Sequence, residues 1–359
     1  MQKGCKFWEK TISARPAVAF LTVKGYNEND ISQEPCLAPP KQRLPMQINR
    51  KEFLQTLGVA GAAVIGSFDH FDIFAQTGQT GAPDLVAVMG GEPDVMFQKA
   101  IAEFGGMGKF VKKGEKIVVK PNIGWSQPPE IAANTHPVLV KEIVQQIYAA
   151  GASEVIVFDT TCDKPYTDCY RKSGIEAAVK EAGGKMLPSG KEEVHKQYYK
   201  EVELPNGKIL KKALIHHALI DCDAWINVPV LKVHSSAKMT IAMKNYMGIV
   251  HDPRFFHANG LQQCIADICT WEKKPVLNIV DAYRIMKANG PRGKSEADSV
   301  VVKALFAATD FVAVDTAAAK LAERFTNIPV SQVEHLVLGE SMKLGSSNLE
   351  TMNIKRVTM

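Results

Sequence analysis

Several short stretches of this chain are apolar at consecutive positions rather than at alternate ones, notably 85–89 (LVAVM), 117–119 (IVV), 154–158 (EVIVF) and 276–280 (VLNIV). A strand with no polar face has to be covered on both sides, which is the situation of a parallel sheet flanked by helices rather than of a half-solvated antiparallel one. The intervening segments carry helical spacing. Pro93 opens a pattern through Phe97, Ile101 and Phe104, and His136-Pro137 opens another with Val140, Ile143, Val144 and Ile147 on one face. Proline is well placed at a first helical position, where its missing donor would be unpaired in any case. A further helix is predicted over 173–182, ending at Gly183-Gly184. The alternation defines an α/β fold, a mostly parallel sheet with helices on both faces. At 198–213 it is interrupted: apolar runs flank Pro205-Asn206-Gly207-Lys208, and Asn-Gly favours a tight turn, so an antiparallel hairpin insertion is expected. The theme resumes with a strand over 224–231, helices over 239–249 and 261–271, the strand 276–280 ending at Asp281, a strand over 301–307, and helices over 314–325 and 331–344.

With 359 residues, 46% hydrophobic and 23% charged, the chain can bury a full core. The net charge of +5 comes from lysines scattered through amphipathic segments, with no basic run interleaved with aromatics, so nucleic acid is excluded as the expected partner. Seven irregularly spaced cysteines, without a Cys-x-x-Cys, do not make a disulfide scaffold. Cys162 and Cys169 flank a loop, and their spacing suits a disulfide or two free thiols equally. Cys264 and Cys269, five apart on an expected helix, point to different faces and make no metal pair.

The front of the chain reads as an address. Residues 46–75 run from the basic pair Arg50-Lys51 through Phe53-Leu54 into a Gly/Ala-rich apolar body and a small residue at Ala75, which is the layout of an export signal. The body is too short and too rich in glycine for a stable membrane span. Asn49 to Leu54 resembles the twin-arginine motif, with Lys51 where the second arginine is usual; the alternative is an amphipathic helix packed on a cytoplasmic protein. Residues 1–45, with five prolines and no sustained periodicity, are expected to be disordered or untranslated, with Met46 as the start. Removing 1–75 takes away nine basic and seven acidic residues and leaves +3. The remaining 76–359 is one α/β domain, expected outside the cytoplasm, periplasmic or otherwise extracytoplasmic.

In such a domain the functional groups lie just past the carboxyl ends of strands. Four ends carry polar residues: Lys120 and Asn122, Asp159 and Thr160, Lys232 and His234, Asp281 and Arg284. A lysine that follows a buried strand needs either a carboxylate neighbour or an anionic ligand. Lys120 or Lys232 could therefore pair internally with Asp159 or Asp281, or several such ends could converge on a ligand. The stretch 225–250 (WINVPVLKVHSSAKMTIAMKNYMGIV) is the richest: Lys232 and His234 empty into a serine loop that is expected to enter a helix carrying Lys238, Lys244 and Asn245. A helix N-terminus with ammonium and imidazole groups around it suits a carboxylate or phosphate. His234 beside lysines is biased towards its neutral form and is the candidate for proton transfer. His136 fits a helix cap, a packed side chain or a catalytic group. His251, Asp252 and His257 match no zinc spacing and read as a surface loop. Arg292, at the tip of the Gly290-Pro291-Arg292-Gly293 turn, could clamp a carboxylate or stay solvated. Met239, Met243 and Met247 read as core.

The ordered series Lys120-Pro121-Asn122, 134–137 (NTHP), 231–234 (LKVH), 243–248 (MKNYMG) and 290–293 (GPRG) resembles the bacterial and archaeal domain-of-unknown-function family 362, over about residues 85–320. The resemblance implies these positions as a site; the family has no settled reaction. Many of its members carry a ferredoxin-like segment, but this chain lacks the closely spaced cysteine run that a four-iron cluster needs, so no cluster is carried over and the sequence names no cofactor. The expected function is an exported enzyme acting on a small carboxylate- or phosphate-bearing ligand. Lys120, Lys232, Lys244 and Arg292 would hold charge, His234 would transfer a proton, Asn122, Asn245 and His136 would contact the ligand, and Asp281 would position a lysine or the histidine. The alternative is a non-catalytic ligand-binding or redox-accessory protein.

Overall fold

The computed structural model describes residues 81–359; the segments 1–45 and 46–75, with the expected export signal, lie outside the described residues. The first strands are β1 (Leu85–Met89), β2 (Lys116–Pro121), β3 (Glu154–Val157) and β4 (Lys185–Met186). They alternate with helices α1 (Pro93–Glu103), α2 (Pro137–Ala149), α3 (Tyr166–Lys172) and α4 (Ile175–Glu181). Next come β5 (Tyr199–Glu203) and β6 (Lys212–His216), a short helix α5 (His217–Asp221), and β7 (Ala224–Val228), β8 (Val230–His234) and β9 (Lys238–Thr240). Helices α6 (Ala242–Asn245), α7 (Arg254–Ala258) and α8 (Leu261–Ile268) lead to β10 (Leu277–Met286) and β11 (Ser299–Ala308). The chain closes with α9 (Phe311–Glu323), α10 (Glu334–Ser341) and β12 (Ile354–Thr358).

The large sheet runs β12-β1-β11-β10-β7-β2-β3-β4, with β8 joined to β10 and β9 to β8. From β10 to β4 every pairing on this path is parallel. At the other edge β11 is antiparallel to both β10 and β1, and β12 is parallel to β1. The chain is thus an α/β protein with a mostly parallel mixed sheet and a separate antiparallel β5–β6 hairpin. Successive side chains of β1 serve opposite layers: Leu85, Ala87 and Met89 pack in one core, Val86 and Val88 in the other. The first core is closed by α8, α9 and α10, and the second by α1, α2 and α4. Each aliphatic side chain fully removed from water in these layers contributes about 1.5–3 kcal/mol, which is why strands without a polar face can exist here.

Four details depart from the sequence reading. Asp281 does not end a strand; β10 continues past it to Met286, with an irregularity between Ala282 and Arg284. The second hairpin strand lies at 212–216 because the Asp267 carboxylate takes the N–H groups of Lys208, Ile209 and Leu210 at 2.6–2.8 Å, holding 208–210 out of the ladder. Lys238 belongs to strand β9, and the helix expected over 239–249 is only the four residues of α6 followed by a 3-10 turn, Tyr246–Ile249. Strand β12 was not anticipated.

Candidate functional site

Strands β2, β3 and β8 release their carboxyl ends around one cavity of about 300 Å³, lined among others by Lys120, Asn122, Asp159, Cys162, Lys232, His234, Thr240, Lys244, Asn245 and Gly248. Three of the four polar strand ends therefore meet. The fourth does not: Asp281 accepts the backbone N–H of His136 at 2.7 Å and of Tyr283 at 3.0 Å, and Arg284 reaches Ser299 Oγ at 3.2 Å. His136 itself caps α2, its Nδ1 accepting from the Val138 N–H at 3.3 Å while its ring packs edge-on against Tyr283. Asp281 thus positions the backbone at His136, not a lysine or His234. Arg292 is half exposed and pairs with Asp163 at 3.1 Å, although its neighbour Pro291 lines the cavity.

The cations of the cavity are not equivalent. Lys120 is fully buried, with Nζ 2.8 Å from Asp159 Oδ1 and 2.7 Å from Asn245 Oδ1. Burial favours the neutral form of both partners and their mutual attraction favours the charged form, and in either state the pair carries no net charge. It is held from one side by the Ile123 N–H, 2.6 Å from Asp159 Oδ2, and covered from the other by the backbone of Gly248. A Cβ at Gly248 would lie 1.9 Å from Asp159 Oδ1, so only glycine brings the chain this close. Lys232, also buried, forms no ion pair among the described residues. Its Nζ donates to Asn122 Oδ1 at 2.9 Å and to the Ala133 carbonyl at 2.5 Å. Burial, reinforced by the neighbouring charge of Lys244, brings its amine down to about 7. Lys244 is half-buried with no ion-pair or hydrogen-bond partner among the described residues, and burial brings it to about 8.

His234 sits where a proton-transfer group was expected, but its ring is turned the other way. Nδ1 accepts the backbone N–H groups of both Ser236 and Ala237 at 3.1 Å, which places the ring proton on Nε2. Burial and the two lysines hold the ring neutral, down to about 2. A neutral imidazole with its lone pair so occupied is a hydrogen-bond donor rather than a base. The helix N-terminus proposed as an anion seat is also taken: Asp315 of α9 accepts the N–H groups of Ala242 and Met243 at 2.6 and 2.9 Å. The carboxyl group that takes the first N–H groups of α6 belongs to the protein.

Two features escaped the sequence reading. The first is a directed chain of side-chain amides. Lys232 donates to Asn122, Asn122 Nδ2 to Asn245 Oδ1 at 3.1 Å, Asn245 Nδ2 to Asn227 Oδ1 at 2.8 Å, and Asn227 Nδ2 to Asn278 Oδ1 at 3.0 Å. Asn278 finally donates to the carbonyls of Ala308 and Thr309. Lys120, Asn227 and Asn278 face one another across β2, β7 and β10, which is why the series can form. Asn245, with both amide hydrogens and its oxygen engaged, is a strut rather than a free ligand contact. Polar residues within apolar strands were the available signal. The second is Thr240, paired in register with Lys232, whose buried hydroxyl has no hydrogen-bond partner among the described residues and which lines the cavity.

Cys162 is an exposed free thiol at the cavity lining, and Cys169 is a buried free thiol whose Sγ lies 3.7 Å from the Asp163 carbonyl. His257 lines the cavity, whereas His251 turns to the Glu192 carbonyl at 3.2 Å and Asp252 pairs with Arg254. Met239, Met243 and Met247 are core side chains. Among the described residues no three His, Cys, Asp or Glu side chains are grouped to hold a metal ion, and no helix is long and apolar enough to cross a membrane.

Among proteins of known sequence, a thylakoid-associated protein from Synechocystis sp. is 27% identical over 225 aligned residues, covering 59% of this chain and 64% of the relative. The match thus spans less than two thirds of that relative. Among solved structures, the lactate racemase apoprotein from Thermoanaerobacterium thermosaccharolyticum aligns over 61% of this chain and 53% of its own, at 12% identity and a TM-score of 0.39. The model of a domain of unknown function, DUF362, matches residues 117–320, more than half of the chain and the whole of the segment that builds the cavity from Lys120 to Pro291, and the chain belongs to that family.

Proposed function

We propose that the protein is an enzyme that binds a small carboxylate- or phosphate-bearing molecule in the cavity between β2, β3 and β8 and moves a proton on it. One observation carries the reading: two lysines, Lys232 and Lys244, line a cavity where Asp159, the one acidic side chain among the described lining residues, is already matched by Lys120. Unmatched buried cations are costly, and an anionic ligand offsets that cost. An amine near neutrality can both give and take a proton, so the proton-transfer role falls to Lys232, with Lys244 holding the anion and His234 Nε2–H donating to it. Asn122 fixes Lys232, while His136, Asp281 and Arg292 are not among the lining residues and take no part in binding.

Titration of inorganic phosphate and of lactate into the full chain by calorimetry tests the reading. Lys244→Met should weaken binding of the preferred anion at least tenfold with the fold retained; unchanged affinity would remove the assignment. Mass spectrometry of retained ligands before and after incubation separates an enzyme from a non-catalytic binding protein. We further propose that the chain is exported by the signal at 46–75; a mature N-terminus just after Ala75 in an extracytoplasmic fraction is the expected result, and an uncleaved cytoplasmic protein the opposing one.

A further inference from the structure

The cavity contains an amine whose hydrogens are spoken for. Lys232 Nζ has two acceptors, Asn122 Oδ1 at 2.9 Å and the Ala133 carbonyl at 2.5 Å, and no third partner among the described residues. A neutral amine has two hydrogens and one lone pair. With both hydrogens bound, the lone pair takes the remaining tetrahedral direction on a side chain that lines the cavity. Losing the third proton therefore breaks no hydrogen bond to the protein, while the neighbouring Lys244 penalises keeping it. The carboxylate that shares the cavity, Asp159, is paired with Lys120, and Lys232 forms no ion pair among the described residues.

The residues that line the same space include further donors, among them the Lys244 amine, the Ser235 and Ser236 hydroxyls and His234 Nε2–H. They suit a ligand that carries acceptors beside an electrophilic carbon. We propose that Lys232 forms an imine with the carbonyl carbon of a small 2-oxo acid whose carboxylate is held by Lys244. The inference rests on the anion-binding reading of the same cavity and gives it a substrate class.

The step balances without a redox partner. The Lys232 lone pair attacks the carbonyl carbon, the N–C bond forms, and the C=O pair moves onto oxygen, where the His234 Nε2–H stabilises the developing charge. Nitrogen then gives up one proton, and oxygen, protonated twice, leaves as water as the C–O bond breaks. The net change is amine, carbonyl and one proton to iminium and water. The iminium draws electrons from the adjacent carbon bonds, which is the purpose of such a lysine.

The experiment is borohydride trapping on the full chain with pyruvate and with 2-oxoglutarate, followed by peptide mass mapping. One reduced adduct per chain on Lys232 is expected with at least one of the two acids, and none in Lys232→Met. In Lys244→Met the pH midpoint of trapping should move up from near 7 towards the ordinary lysine range, a readout that does not depend on the Lys232 variant folding. Adducts spread over exposed lysines, an adduct on Lys244 in place of Lys232, or no adduct with either acid overturns the proposal. If trapping fails while phosphate or lactate still binds, imine chemistry falls and anion binding stands; if neither binds, both fall.

Discussion

Lys120 and Asp159 make a test of how the site is held together. Their charged atoms lie 2.8 Å apart with both side chains at most 2% exposed, so their attraction is about 6 kcal/mol at an effective dielectric of about 20. Most of that is consumed by stripping water from two ions, so the intact pair adds little net stability. Removing one partner is different, because the other is left buried and unmatched. Lys120→Met and Asp159→Asn should each cost about 3–5 kcal/mol. The double variant, which leaves no buried charge at this position, should cost less than the sum of the singles by about 2 kcal/mol or more. Urea unfolding at pH 7 of the four proteins measures this, with unchanged m-values as the sign that only stability has moved. Single costs below about 1 kcal/mol, or a double within about 0.5 kcal/mol of additivity, would refute the reasoning, since coupled neighbours cannot behave as independent sites.

Two further outcomes follow from orphaned and buried groups. Thr240→Val replaces a buried hydroxyl that has no partner among the described residues by a methyl, so thermal unfolding should be unchanged or slightly raised; a loss above about 1 kcal/mol would mean that the hydroxyl is satisfied within the fold. Burial lifts the Asp315 carboxyl from 3.8 to about 8 against two N–H donors. The unfolded chain is then ionised at pH values where the folded one keeps the proton, so this group favours folding below the ordinary carboxylate range and its contribution is lost as pH rises to about 8, by at most about 6 kcal/mol. Denaturation from pH 5 to 9 should show that decline in the parent and a flatter profile in Asp315→Asn; parallel profiles would count against it.

The parallel strands were legible because apolar residues at consecutive positions admit few other environments, and Lys120, Lys232 and His234 stood out because they break that rule at strand ends. What escaped was set by partners distant in sequence. Asp281 looked like a terminus, yet its backbone continues in β10 while its carboxylate serves His136. The N-terminus of α6 looked vacant, but Asp315 lies 73 residues further on. Ile354–Thr358, with lysine and arginine at its centre, has the mixed pattern of an edge strand and no apolar run to announce it. The orientation of His234 depends on two backbone N–H groups in a tight turn, and no spacing rule reports which ring nitrogen they find.

The asparagine series fixes the Lys232 amine to the interior of the sheet rather than to the rim of the cavity. Every amide in it points the same way, from Lys232 to the backbone of β11, so turning over any one of them would set oxygen against oxygen on one side and hydrogen against hydrogen on the other. The rim, built from the serine turn and the Gly290–Gly293 corner, has no part in this alignment. Related chains could therefore exchange their outer loops and admit different molecules while the nitrogen beneath keeps its aim.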